Sequence, residues 1–164
     1  MTQQLLTQNY ITALLKVLRY IDFFPSEFKI HTQGRRGGYL SILDIQTGQM
    51  VCTVSVGIFP IWKDQRYRML SAEKAYRLYR NLPLGHITSG QSADDKFCRY
   101  DGAIKTKRYI LSFSGLSSGK ADSTLMVCLA KLIDDLEDVS ELSKVLDINE
   151  ETVDFYVDKC RLAA

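Results

Sequence analysis

A chain of 164 residues, 46% hydrophobic and 24% charged, is long enough to bury one core without disulfides or metals, and too apolar to be disordered. Its net charge of +2 selects no class of partner. No apolar run approaches the roughly 18 residues of a membrane span, and the amino-terminal stretch MTQQLLTQNYITALLKVLRYIDFF lacks the basic start of a secretory signal.

The charge is unevenly placed. Residues 29–120 carry 15 Lys/Arg against 6 Asp/Glu, and residues 121–164 carry 4 against 11. An acidic tail can pair with the basic body of its own chain or of a second copy, so a homodimer is one expectation. The four cysteines (Cys52, Cys98, Cys128, Cys160) are scattered and the two histidines, His31 and His86, lie apart from them. That spacing does not suit zinc, and the pattern reads as free thiols in a reducing cytoplasm.

Ile11, Leu14, Leu15, Leu18 and Ile21 recur at helical spacing, predicting a helix over about 3–22 that Phe24-Pro25-Ser26 ends. Residues 29–33 alternate weakly as a strand, and GRRGG (34–38) reads as a turn. YLSILDI and MVCTVSVGIF, separated by QTGQ, predict a β-hairpin with Gly48 at positive φ; Leu40 and Ile42 share one face, Tyr39, Ser41, Leu43 and Ile45 the other. Ser71 is the predicted start of a second helix, which Pro83 stops at Leu82. Residues 84–102 show little periodicity and read as a loop of nearly twenty residues, a length that implies function or mobility.

AIKTKRYILSFSG (103–115) reads as one further strand, followed by a strong helical stripe at Leu125, Met126, Leu129, Leu132 and Ile133. Asp138 with Glu141 resembles a capping box, and Asn149 is placed to cap EETVDFYVDKC. Consecutive strands joined by tight turns imply an α+β fold: an antiparallel sheet with flanking helices, occupying residues 1–136, and a helical tail over 137–164 packed on the domain or on a partner chain. That tail superficially resembles a helix-turn-helix, but the acidic Glu150, Glu151, Asp154 and Asp158 would repel DNA. Val153, Tyr156 and Val157 are instead placed to dock.

Residues 114–124, SGLSSGKADST, test for a phosphate loop. The pattern G-x-x-x-x-G-K-[ST] fails at Ser114, where glycine is required, and at Ala121, where the magnesium hydroxyl belongs. The stretch reads as a turn followed by an acidic N-cap, with the helix beginning near 121, and ATP is not expected.

Three segments nevertheless resemble one family: Tyr39–Ile45 with Gly48, Lys74-Ala75 within SAEKAYRLY, and DGAIKTKRYILSFSG followed by Asp122. In these the chain resembles, over about residues 3–133, the haem-binding or haem-degrading proteins of the GlcG and HbpS type. The resemblance implies a profilin-like sandwich and a small ligand, haem or another tetrapyrrole, although no family histidine maps onto His31 or His86. Ser114 and Asp122 at the matching junction join His86, Asp94 and Asp95 of the long loop as candidate ligand-binding residues.

The leading expectation is a non-enzymatic ligand-binding or interaction module. The alternative is nucleic-acid binding through the basic, aromatic-rich segments 62–80 and 96–108, using Arg66, Arg68, Arg77, Arg80, Lys105, Lys107 and Arg108. Tyr76 and Tyr79, within the first of these, sit where a helix would bury them. No nucleophile elbow or catalytic cluster stands out, so no catalytic residue is assigned.

Overall fold

The computed structural model describes residues 2–136 and 138–163; Glu137, the first residue of the predicted tail, lies outside them. Helix α1 (Gln3–Arg19) is capped by the Thr2 hydroxyl and buries Tyr10, Leu14, Val17 and Leu18. It ends before the predicted residue 22. Pro25 does not terminate it but sits in the first turn of a separate short helix, α2 (Phe24–Phe28), where the missing proline N–H has no intrahelical acceptor to lose.

The predicted hairpin is present as β1 (Arg36–Asp44) and β2 (Met50–Ile58), with Gly48 at φ +72° in the turn. Its faces divide as expected: Leu40 and Ile42 join the main core, while Leu43 and Ile45 face the other side. Residues 29–33 form no strand. Gly37 and Gly38, expected in a turn, belong to β1 for a steric reason. A Cβ on Gly38 would stand 2.0 Å from the Ser114 carbonyl oxygen of the neighbouring strand.

Helix α3 spans Asp64–Asn81 and therefore starts well before Ser71. Ser71 is instead a buried mid-helix contact with the sheet. Its Oγ donates to Ser41 Oγ at 2.8 Å, Ser41 pairs with Thr53 Oγ1 at 2.9 Å, and Ser112 Oγ donates to the Ser71 carbonyl at 2.8 Å. These short hydroxyls let α3 lie close on the strands while satisfying one another. The single strand predicted over 103–115 is two, β3 (Ala103–Lys105) and β4 (Tyr109–Ser114), because Thr106 turns the chain and bonds back to Tyr109.

The sheet order is β2-β1-β4-β3, with every neighbouring pair antiparallel. Helix α3 covers one face, over a small core of Leu43, Ala75, Leu78, Ala103 and Ile110. On the other face the main core runs from the sheet through α1 and α4 (Gly119–Leu132) to α5 (Ser140–Leu146) and α6 (Glu150–Leu162). The fold is thus α+β, an antiparallel sheet flanked by helices. Val139 rather than Asp138 holds the N-cap position of α5, whereas Asn149 caps α6 as expected. Val153, Tyr156, Val157 and Cys160 of α6 are buried against their own chain, the Tyr156 ring lying 4.7 Å from Phe24. Among the described residues no helix is long and apolar enough to cross a membrane.

Candidate functional site

The junction between β4 and α4 is built from the motif that resembled a phosphate loop. Helix α4 starts at Gly119, with Ser118 as its N-cap accepting from the Ala121 N–H at 3.1 Å. It thus begins two residues earlier than the sequence suggests, and the cap is not acidic. Lys120, the would-be phosphate lysine, donates to the Asp147 carbonyl, towards the tail. Asp122 turns inward instead: it accepts from the Leu116 N–H at 2.9 Å and from Lys74 Nζ at 3.0 Å.

Lys74 is the unexpected residue. It lies in the stripe Tyr67, Ser71, Lys74, Leu78, the buried face of α3, and its ammonium also donates to the Phe113 carbonyl at 2.8 Å. A lysine in a core stripe requires a buried partner, which was the sequence signal for this pair. Gly102 closes over it, since a Cβ there would meet Lys74 Nζ at 2.5 Å and the backbone already holds φ +139°. Burial raises the Asp122 carboxyl above the ordinary carboxylate value, and the Lys74 charge opposes that shift. Neighbouring Asp101, which accepts from Gly90, Gly102 and Ser123, is likewise raised by burial.

Above this pair opens a groove. One part, of about 410 Å³, has Ser114, Lys74 and Asp122 in its floor and Arg35, Lys63 and Arg66 on its walls. It adjoins a second part of about 620 Å³, where Arg35, Lys63, Tyr67 and Gly115 are shared and Trp62, Phe59 and Ile58 form the outer wall. Arg35 is aimed by a hydrogen bond to the Leu116 carbonyl at 2.9 Å, and Ser117 ties the junction to the His31 carbonyl. Among the described residues, Arg35, Lys63 and Arg66 form no ion pair. Asp95 is the one acid on the wall among the described residues, and Asp122 below it is already matched by Lys74. The groove is therefore net positive, with an apolar, aromatic lip at which Trp62 is 79% exposed.

Of the residues singled out in the sequence, Asp95, Ser114 and Asp122 come together here. His86 and Asp94 do not line it. His86 follows the end of α3, with Nδ1 buried and unbonded among the described residues, and Asp94 caps the short turn Asp95–Phe97.

The long segment 84–102 is pinned by Arg77, whose guanidinium donates to the Ser89 carbonyl at 2.6 Å, to Ser92 Oγ at 2.7 Å and to the Tyr100 carbonyl at 2.5 Å, and pairs with Glu73. Arg77 is thus a structural cation, not the surface phosphate contact its sequence position suggested. The other basic candidates are dispersed. Arg66 is in the groove, Arg68 pairs with Asp64 and lies over Tyr39, and Arg80 is exposed near the end of α3. Lys105, Lys107 and Arg108 sit on the β3–β4 hairpin, where Arg108 faces Asp135. Tyr76, expected to be buried, is 41% exposed, while Tyr79 packs against the small core as predicted. Comparison with family models, curated proteins and solved structures finds no match to this chain.

Proposed function

We infer that the protein is a ligand-binding module, and that the groove over the Lys74–Asp122 pair takes a small organic anion with a planar apolar body. The observation that supports this most is the set of three cations without a carboxylate partner, Arg35, Lys63 and Arg66, that line the groove, Arg35 and Lys63 reaching the part edged by the exposed Trp62. Cations held without carboxylate partners favour a carboxylate or phosphate, and an aromatic lip favours a flat ring system. The buried ion pair beneath supplies rigidity, so the walls are positioned before the ligand arrives.

A tetrapyrrole bearing propionates belongs to this class, and the GlcG- and HbpS-like segments point the same way. Lys74 and Asp122, which fall in two of the matching places, are the residues that meet under the groove. Among the described residues no histidine, methionine or cysteine lines it, so recognition would rest on the propionates and the ring rather than on iron.

Trp62 is the one tryptophan of the chain, which makes its fluorescence a reporter of groove occupancy. Titration with protoporphyrin IX, haemin, a mononucleotide and a single-stranded oligonucleotide should give saturable quenching with a planar small anion. Arg35→Ala/Arg66→Ala should weaken binding by about tenfold or more, the loss of one to two charge-assisted contacts. Equal affinity for haemin and metal-free protoporphyrin would place recognition in the periphery of the ring. No saturable change at about 100 μM of any small anion, or binding indifferent to the arginine substitutions, would refute the reading. Salt-sensitive binding of the oligonucleotide alone would favour the nucleic-acid alternative.

A further inference from the structure

The two edges of the sheet are treated differently. At one, β3 has three residues and is covered: Lys105 N–H donates to the Ile87 carbonyl, and Thr88 bridges to Ile104. At the other, β2 has nine residues and, among the described residues, pairs with β1 alone. Folded proteins protect long edges with charge, proline or a covering element, because unpaired N–H and C=O groups template the addition of another strand. β2 carries no charged residue and no proline, and α1 reaches its edge through a side-chain bond from Gln3 to the Val51 carbonyl.

The flanking sequence is equally uncharged, the nearest charges being Arg36, which lies opposite Ile58 and is paired with Asp22, and Asp44 and Arg108 beside Met50 and Val51. Residues 45–62 contain no Asp, Glu, Lys or Arg, and neither do residues 2–15 of the α1 region. In a chain with 21 basic and 19 acidic residues, these two neutral stretches are brought together by the packing of α1 against β2. The exposed residues they contribute include Leu5, Leu15, Ile58 and Ile61, the last two more than 80% exposed.

We propose that β2 is a homodimer interface, pairing antiparallel with β2 of a second copy about a two-fold axis near Val54, the middle of the strand. A second copy is chosen over a different partner by the charge pattern. At a two-fold axis each residue meets its own equivalent or a close neighbour of it, so any charge near the axis is opposed by a like charge. A neutral strand flanked by neutral chain meets that condition, whereas a surface evolved for a charged partner would carry complementary charge. Antiparallel pairing of a strand with itself also uses the same backbone groups on both copies and extends the four strands to a continuous eight-stranded sheet. The arrangement sets the second copy's α1 and β1–β2 turn beside Ile58 and Trp62, so it would narrow the outer part of each groove.

Sedimentation of the full chain tests this. Dimer is expected at about 10 μM, and Ser55→Lys, an exposed position on β2, should raise the dissociation constant by at least about tenfold with an unchanged far-UV spectrum. Hydrogen exchange on the unmodified protein removes dependence on the variant: β2 amides should gain protection as concentration rises, and β3 amides should not. A monomer at about 100 μM, a dimer that Ser55→Lys leaves intact, or β2 exchange independent of concentration would overturn it. None of these readings depends on a ligand, so failure here leaves the groove unaffected.

Discussion

Lys74 Nζ stands 3.0 Å from Asp122 Oδ2 with both side chains at least 95% buried, joining α3 on one face of the sheet to the first turn of α4 on the other. The pair passes the end of β4, where Lys74 also takes the Phe113 carbonyl and Asp122 takes the Leu116 N–H. It holds together the layers that form the groove.

Removing either partner leaves a charge buried without its counter-ion. Lys74→Met and Asp122→Asn are each expected to cost about 3–5 kcal/mol. Lys74→Met/Asp122→Asn should cost clearly less than the sum, since it removes both charges together. Urea denaturation of the four proteins provides the cycle. Single variants that each lose under about 1 kcal/mol would mean the pair is not the tie described here.

The same region gives a pH dependence. Burial raises Asp101 and Asp122 above the ordinary 3.8, so the folded chain holds these protons more tightly than the unfolded chain does. Their contribution to stability is fully present below the unfolded value and is lost as pH rises through the folded values. Asp101→Asn should therefore flatten the fall in stability as pH rises above the ordinary 3.8, while keeping an oxygen for the Gly90 and Gly102 N–H groups. Profiles of variant and wild type that run parallel above that value would contradict the assignment.

How much of this was legible in the sequence follows from what each signal measures. Periodicity located the hairpin, the α4 stripe and the faces of β1, since burial of one face imposes spacing directly. It misplaced the start of α3, because Arg66, Tyr67 and Arg68 look like a polar lead-in until the fold brings Phe59 against a buried Tyr67. Two strands merged into one for a similar reason: Thr106 turns the chain partly through Asp135, a residue far away in sequence. Asp95, Ser114 and Asp122, singled out in the sequence, line one groove. Arg35 and Lys63 line it too, and nothing local reveals that a loop residue and a helix-entry residue share one groove.

Arg77 carries the order of the 84–102 segment. Four groups accept from its guanidinium, three of them within that segment and the fourth being Glu73. Arg77→Lys keeps the charge but cannot reproduce the planar fork, so both Arg77→Lys and Arg77→Ala should loosen the loop. Limited proteolysis is expected to cut both variants within 84–102 while the wild type resists, with a stability loss of about 2–4 kcal/mol for the alanine change. Resistance of Arg77→Ala equal to that of wild type would show that the loop is held by its own 3-10 turns.

The tail supplies the last test. Tyr156 OH donates to the Val17 carbonyl at 2.7 Å, in the middle of the core between α6 and α1, and its ring lies edge-on to Phe24 and Phe28. Tyr156→Phe keeps the ring contacts and removes one hydrogen bond, and the Val17 carbonyl retains a helical acceptor role, with Tyr20 N–H at 3.2 Å. The expected cost is about 1 kcal/mol. Tyr156→Ala empties an aromatic-sized space that the surrounding helices cannot close, at about 3–5 kcal/mol. Deleting residues 148–164 uncovers α2 and part of α4 as well, so the shortened chain should unfold or aggregate. A truncated protein that keeps a cooperative melt near the full-length midpoint would show that the core closes without α6.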